Sequence, residues 1–120
     1  MILVVDDDKV LTQLLRGLLE KDGYEVRICN NGEEAYQQLS DPKYTCMLLD
    51  IRMPGINGAE LLMLMAAEGL TLPVIVMAAF PDFDEAEMKQ FPNVQRLFHK
   101  PFYPEEMLEA VKEVAKVEAS

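Results

Sequence analysis

The sequence predicts an α/β domain, a (βα)₅ unit wound on both faces of a five-stranded parallel sheet. Three observations carry that expectation. Short apolar, β-branched runs recur five times, segments of helical periodicity separate them, and no repeat, low-complexity tract or linker interrupts the alternation. At 120 residues the chain fits one domain spanning 1–120, and a hydrophobic share of 50% supplies a core without disulfides or a structural metal.

The predicted strands are Ile2–Val5, Tyr24–Cys29, Thr45–Leu49, Val74–Met77 and Val94–Phe98, chosen by length, β-branching and flanking breakers. After the first strand, Val10, Leu11, Leu14, Leu15, Leu18 and Leu19 form an apolar stripe at helical spacing. Asp6–Asp8, taken alone, reads equally as a functional acidic cluster or as a solvated turn in which Asp8 helps to start the helix. Asn31 three residues before Glu34, and Asn57 three before Glu60, resemble capping boxes and open the second and third helices. Asp82 and Glu85 repeat the pattern more weakly before an acidic fourth helix, which Pro92 stops after Phe91. Pro104, Glu105 and Glu106 open the fifth, with Met107, Leu108, Val111, Val114 and Ala115 as its inner stripe. The Leu61–Met65 run reads as helical core filler rather than a methionine-rich binding face. Phe80, Phe83 and Phe91 also read as core before they read as exposed anchors.

The formal net charge of −10 excludes nonspecific binding to nucleic acid or an anionic membrane, both of which need positive charge. No apolar run approaches the roughly 20 residues that cross a bilayer. No basic leader precedes the first strand, so the expected setting is cytoplasmic. Cys29 and Cys46 lie in apolar runs without metal-like spacing and read as buried thiols.

In sheets of this kind the working site lies beyond the carboxyl ends of the strands. There the first strand runs into Asp6, Asp7 and Asp8, the third into Asp50, and the fifth into Lys100. If the first and third strands are neighbours, the acids share one pocket. Clustered carboxylates repel and raise one another's pKa, and a hard cation such as Mg²⁺ relieves that repulsion. A metal also shields an incoming phosphoryl group from a carboxylate nucleophile, and a lysine pairs with its oxygens. Each feature alone has a plain structural reading; their joint placement at three strand ends points to phosphoryl chemistry.

Val4-Val5-Asp6-Asp7, Asp50-Ile51-Arg52-Met53-Pro54-Gly55-Ile56-Asn57-Gly58 and Lys100-Pro101-Phe102 resemble the three motifs of bacterial two-component response regulator receiver domains. The resemblance covers essentially the whole chain. It implies a flavodoxin-like strand order of 2-1-3-4-5. It makes Asp50 the phosphoacceptor and Asp6, Asp7, Asp50 and the Arg52 backbone carbonyl the Mg²⁺ ligands. Lys100 then contacts the phosphoryl group, with a cis bond to Pro101. Arg52 and Phe80 flank the pocket and tune water access. The implied partners are a sensor histidine kinase or phosphotransfer protein, together with an output domain or protein target.

Two positions depart from the family pattern. Ala78 stands where the fourth strand usually ends in Thr or Ser, and Leu97 replaces the usual aromatic three residues before the lysine. Phe98 is displaced by one and so faces the other side of the sheet. The lost hydroxyl removes a hydrogen bond to a charged group worth about 1.5–3 kcal/mol. Acceptor chemistry keeps all its residues, whereas switching loses two contacts, which predicts a domain that switches weakly or by an atypical route.

Three function classes follow. The first is a phosphoacceptor receiver that catalyses its own phosphorylation and slow dephosphorylation, rather than a conventional turnover enzyme. The second is a binding module that works without phosphorylation or switches weakly. The third is a small Mg²⁺-dependent phosphohydrolase, for which the chain offers no separate substrate pocket.

Overall fold

The structure, a computed structural model, describes residues 1–79 and 81–119, and side chains as far as residue 115. Phe80, expected to flank the pocket, lies outside the described residues. Five strands alternate with five helices: β1 (Ile2–Val5), α1 (Lys9–Lys21), β2 (Val26–Cys29), α2 (Gly32–Gln38), β3 (Cys46–Asp50), α3 (Gly58–Ala67), β4 (Val74–Ala79), α4 (Glu85–Met88), β5 (Val94–Lys100) and α5 (Pro104–Ala119). All pairings are parallel, in the order β2-β1-β3-β4-β5. β1 therefore pairs directly with β3, as the strand order implied by the family resemblance requires.

Side-chain alternation along the strands builds two cores, one on each face of the sheet. Leu3, Val5, Met47, Leu49, Val74 and Val76 face Ala35, Leu61, Leu62, Met65 and Phe83. Ile2, Val4, Leu48, Ile75, Met77 and Phe98 face Leu15, Leu19, Met107, Val111 and Val114. Leu97 packs against the first core and Phe98 lies in the second, the opposite facing expected of consecutive strand residues. Cys29 and Cys46 are free and buried, one in each core.

Several local expectations need correction. The stripe of α1 is narrower than its composition: Leu15 and Leu19 are buried and Leu11 packs beside them, but Val10 is 81% exposed and Leu14 48%. The buried residues of α1 are Thr12, Leu15 and Leu19, so the covered face of the helix is offset from its apolar stripe. Asp84, rather than Asp82, caps α4 by accepting from the Glu87 amide at 2.8 Å. Phe83 is fully buried and stacks on Phe91, so the chain turns into the helix only after that anchor. α4 then ends at Met88, before Phe91 and Pro92. Asn57 completes a full capping box with Glu60. At the second helix, Asn31 accepts from the Glu34 amide and donates to the Glu34 side chain.

β3 runs one residue further than its apolar pattern, through Asp50, and β5 two further, through Lys100. Backbone pairing continues past the last apolar residue in both, so the polar groups of interest sit on rigid strand termini. No helix among the described residues is long and apolar enough to cross a membrane.

Candidate functional site

Three strand ends meet in one pocket. β1 delivers Asp6 and Asp7, its neighbour β3 delivers Asp50, and β5 delivers Lys100. Carboxylate oxygens of Asp6, Asp7 and Asp50 all lie within 4.8 Å of one another. Asp6 is fully buried, Asp50 is 5% exposed, and Asp7 faces solvent. Lys100 Nζ donates to Asp6 Oδ2 at 2.8 Å and lies 3.3 Å from Asp50 Oδ1. The Lys100–Pro101 bond is cis, as the family motif implies.

Each acid is held by its own backbone environment. Asp6 Oδ1 accepts the Asp8 amide at 2.9 Å, while the Asn30 side chain donates to the Asp6 carbonyl at 3.1 Å. Asp8 also caps α1, accepting from the Val10 and Leu11 amides. This turn is thus a helix start, and two of its three acids face the pocket. Behind Asp50 the chain folds sharply into α3. A Cβ on Gly58 would stand 2.4 Å from the Asp50 carbonyl oxygen and 2.7 Å from Ile51 Cα, so only glycine fits there. The loop between is tied to α2, where Glu33 Oε1 accepts the Ile56 amide at 2.8 Å beside Gly55 at φ +74°.

The electrostatics reflect this crowding. Burial, with help from the Asp6 and Asp7 charges, pushes the Asp50 carboxyl up to about 6, although Lys100 pulls the other way. Burial alone would lower the Lys100 pKa. Its hydrogen bond to Asp6 and the charges of Asp50 and Asp6 outweigh that and hold it above the ordinary lysine value. The lysine is thus a firmly charged counter-ion, and Asp50 pays a desolvation cost for ionising. Three carboxylates offering only oxygen donors can hold a metal ion, and their hardness and close spacing suit a divalent cation.

Asp6, Asp7, Asp50 and Lys100, dispersed along the chain, are therefore brought together. The Arg52 side chain turns outward and pairs with Asp82, Nη2 to Oδ1 at 2.7 Å. With Ile51, Met53 and Asn57 this pair lines a shallow cavity of about 210 Å³. Neither that ion pair nor the Glu33 tie was legible in the sequence, because each joins loops with no shared periodicity. A second, apolar groove of about 360 Å³ runs beside Lys100 between Leu11, Leu14, Phe102 and Pro104. Ala78 is 1% exposed and brings only a methyl group to the end of β4.

The family model of the response regulator receiver domain matches residues 2–112. The chain belongs to this family. The receiver domain is 34% identical over 119 residues to the transcriptional regulatory protein CpxR homolog of Haemophilus influenzae, covering 99% of this chain and 52% of the relative. It is 38% identical over 90 residues to the regulatory protein VanRB of Enterococcus faecalis, covering 75% of this chain and 40% of that one. The receiver thus spans about half the length of the curated relatives it matches. Among solved structures, the response regulator TrrA of Thermotoga maritima in complex with Mg²⁺-BeF superposes at TM-score 0.80. It is 31% identical, with 94% of this chain and 96% of that chain covered. The receiver domain of Francisella response regulator 1452 gives TM-score 0.87 at 24% identity, covering 98% and 97%, a likeness of fold. The receiver belongs to two-component signalling, in which histidine kinases phosphorylate response regulators, and the aspartate cluster is consistent with a phosphoacceptor role.

Proposed function

We propose that residues 1–120 form one receiver domain that takes a phosphoryl group onto Asp50 from the phosphohistidine of a sensor kinase or phosphotransfer protein in the cytoplasm. The convergence of Asp50 with two further aspartates and Lys100 supports this reading above any other observation. A carboxylate oxygen of Asp50 attacks the phosphorus. The phosphorus–nitrogen bond to the donor imidazole breaks, and its electron pair stays on the nitrogen.

Asp6, Asp7, Asp50 and the Arg52 backbone carbonyl are assigned to hold Mg²⁺. When bound, Mg²⁺ neutralises charge between the entering group and the carboxylates. Lys100 is assigned to a phosphoryl oxygen as a point charge, already poised 3.3 Å from Asp50. The apolar groove beside Lys100, lined by exposed Leu14 together with Leu11 and Phe102, offers a donor protein a surface to rest on. The same carboxyl phosphate is open to slow hydrolysis, which resets the domain.

A second reading, a binding module independent of phosphorylation, draws support from Ala78 and Leu97. It leaves unexplained why three acids are gathered with a lysine, an arrangement with a desolvation cost and no packing benefit. Intact mass after incubation with a small-molecule phosphodonor and Mg²⁺, with Asp50→Ala alongside, decides between them. The expected result is a metal-dependent gain of one phosphoryl group, absent in the variant. No gain in a folded, Mg²⁺-binding wild type would transfer the assignment to the binding module.

A further inference from the structure

The Arg52–Asp82 pair joins the two loops that border the pocket. Arg52 follows Asp50 by two residues, and Asp82 lies on the segment between β4 and α4. Their contact is short, at 2.7 Å, and markedly asymmetric: the Arg52 side chain is 80% exposed and that of Asp82 16%. The carboxylate sits on a held segment, whereas the guanidinium rides on a long stem in solvent. Asp82 is fixed by its own amide, which donates to the Ala79 carbonyl at 2.8 Å. Next to it, buried Phe83 stacks on Phe91, and the Phe83 carbonyl lies 3.0 Å from His99 Nε2.

We propose that this ion pair is the switching contact of the domain: a phosphoryl group on Asp50 draws the Arg52 guanidinium from Asp82 and so loosens the segment leading into α4. The inference rests on Asp50 being the acceptor. Two residues span at most about 7 Å of chain, within the reach of an arginine side chain, so the guanidinium needs no backbone shift to arrive. A phosphoryl group carries more charge than a carboxylate and matches the planar fork of arginine, so it competes well for that partner.

What the pair releases is poised to respond. α4 has only four residues, too short to be stable by itself, and owes its start to the Asp84 cap and the Phe83 anchor. The usual route, a hydroxyl at the end of β4 pulled onto the phosphoryl group, is closed here because Ala78 has none. A ligand moves an equilibrium only by its differential contacts, and Arg52 supplies one that position 78 lacks. An exposed ion pair is weak, which makes it replaceable and sets the size of the response at about two- to fivefold.

The experiment is amide hydrogen exchange over residues 81–91, with and without the small-molecule phosphodonor and Mg²⁺, phosphoryl occupancy being read by intact mass on the same samples. Wild type is expected to exchange about two- to fivefold faster there once phosphorylated. Asp82→Asn is expected to show the raised exchange beforehand and no further change, and Arg52→Gln to reproduce it. A phosphorylated wild type with unchanged exchange overturns the inference and leaves the acceptor assignment standing. So does a variant that responds as fully as wild type, or one whose exchange rises throughout the chain. Failure to gain the phosphoryl group removes the acceptor assignment, and the inference falls with it.

Discussion

Lys100 Nζ, at the end of edge strand β5, donates to Asp6 Oδ2 at 2.8 Å, reaching across the ends of β4 and β3 to β1. One cation thereby serves the fully buried carboxylate and also lies 3.3 Å from Asp50. Its removal tests how far the pocket depends on it. Lys100→Met removes the cation that holds the Asp50 pKa down, so the Asp50 midpoint rises above about 6, by on the order of one pH unit. A carboxyl carbon NMR titration in metal-free buffer reads this directly, and a midpoint that stays or falls would contradict the assigned electrostatics.

Asp50 itself gives a pH dependence of defined sign. Its folded pKa is raised from 3.8 to about 6, so the folded state binds a proton there that the unfolded chain does not. Between those values stability from this group falls as pH rises, and above about 6 the full cost is present. Asp50→Asn removes that cost. Without metal the variant is expected to be more stable than wild type at pH 7 by on the order of 1–3 kcal/mol. The advantage disappears near pH 4. Added Mg²⁺ raises the wild-type Tm more than that of the variant. Thermal melts across pH and metal check all three expectations.

Ala78→Thr restores a hydroxyl at the end of β4. A hydrogen bond to a charged group contributes about 1.5–3 kcal/mol, so phosphoryl gain from a small-molecule donor is expected to speed up about tenfold. Ala78 is buried against the first core, so the added atoms cost about 1–3 kcal/mol of stability. Stopped intact-mass time courses and a thermal melt separate the two effects. An unchanged rate would mean that the hydroxyl position has lost its access to the phosphoryl group.

Gly58→Ala drives a methyl group to 2.4 Å from the Asp50 carbonyl oxygen, and backbone must move to relieve it. The expected cost is about 1–3 kcal/mol, accompanied by weaker Mg²⁺ binding as Asp50 is displaced. Gly17, in the exposed face of α1, has nothing within 4 Å of the corresponding position. Gly17→Ala is expected to stabilise by about 0.5–1 kcal/mol, which makes it the matching control. Denaturant melts of both variants, with metal titration of the first, provide the comparison.

The sequence by itself determined the elements and their chemistry. Strand runs, the Asn57 cap, Pro104 at the start of α5 and the opposed facing of Leu97 and Phe98 depend on neighbours a few residues away, and such patterns are written locally. The acids and the lysine were legible because each lies within two residues of the end of a strand-like run, where α/β sheets place their working groups. Tertiary structure decided what depends on neighbours distant in the chain. The pairing of β1 with β3 gathers Asp6, Asp7 and Asp50, and Lys100 reaches them from β5. Burial of Phe83 moves the α4 cap from Asp82 to Asp84 and leaves Asp82 available to Arg52. Packing buries Thr12 in α1 and leaves Val10 and Leu14 exposed although they repeat at helical spacing. Periodicity specifies which face of a helix is apolar; only the packed sheet specifies how much of that face is covered.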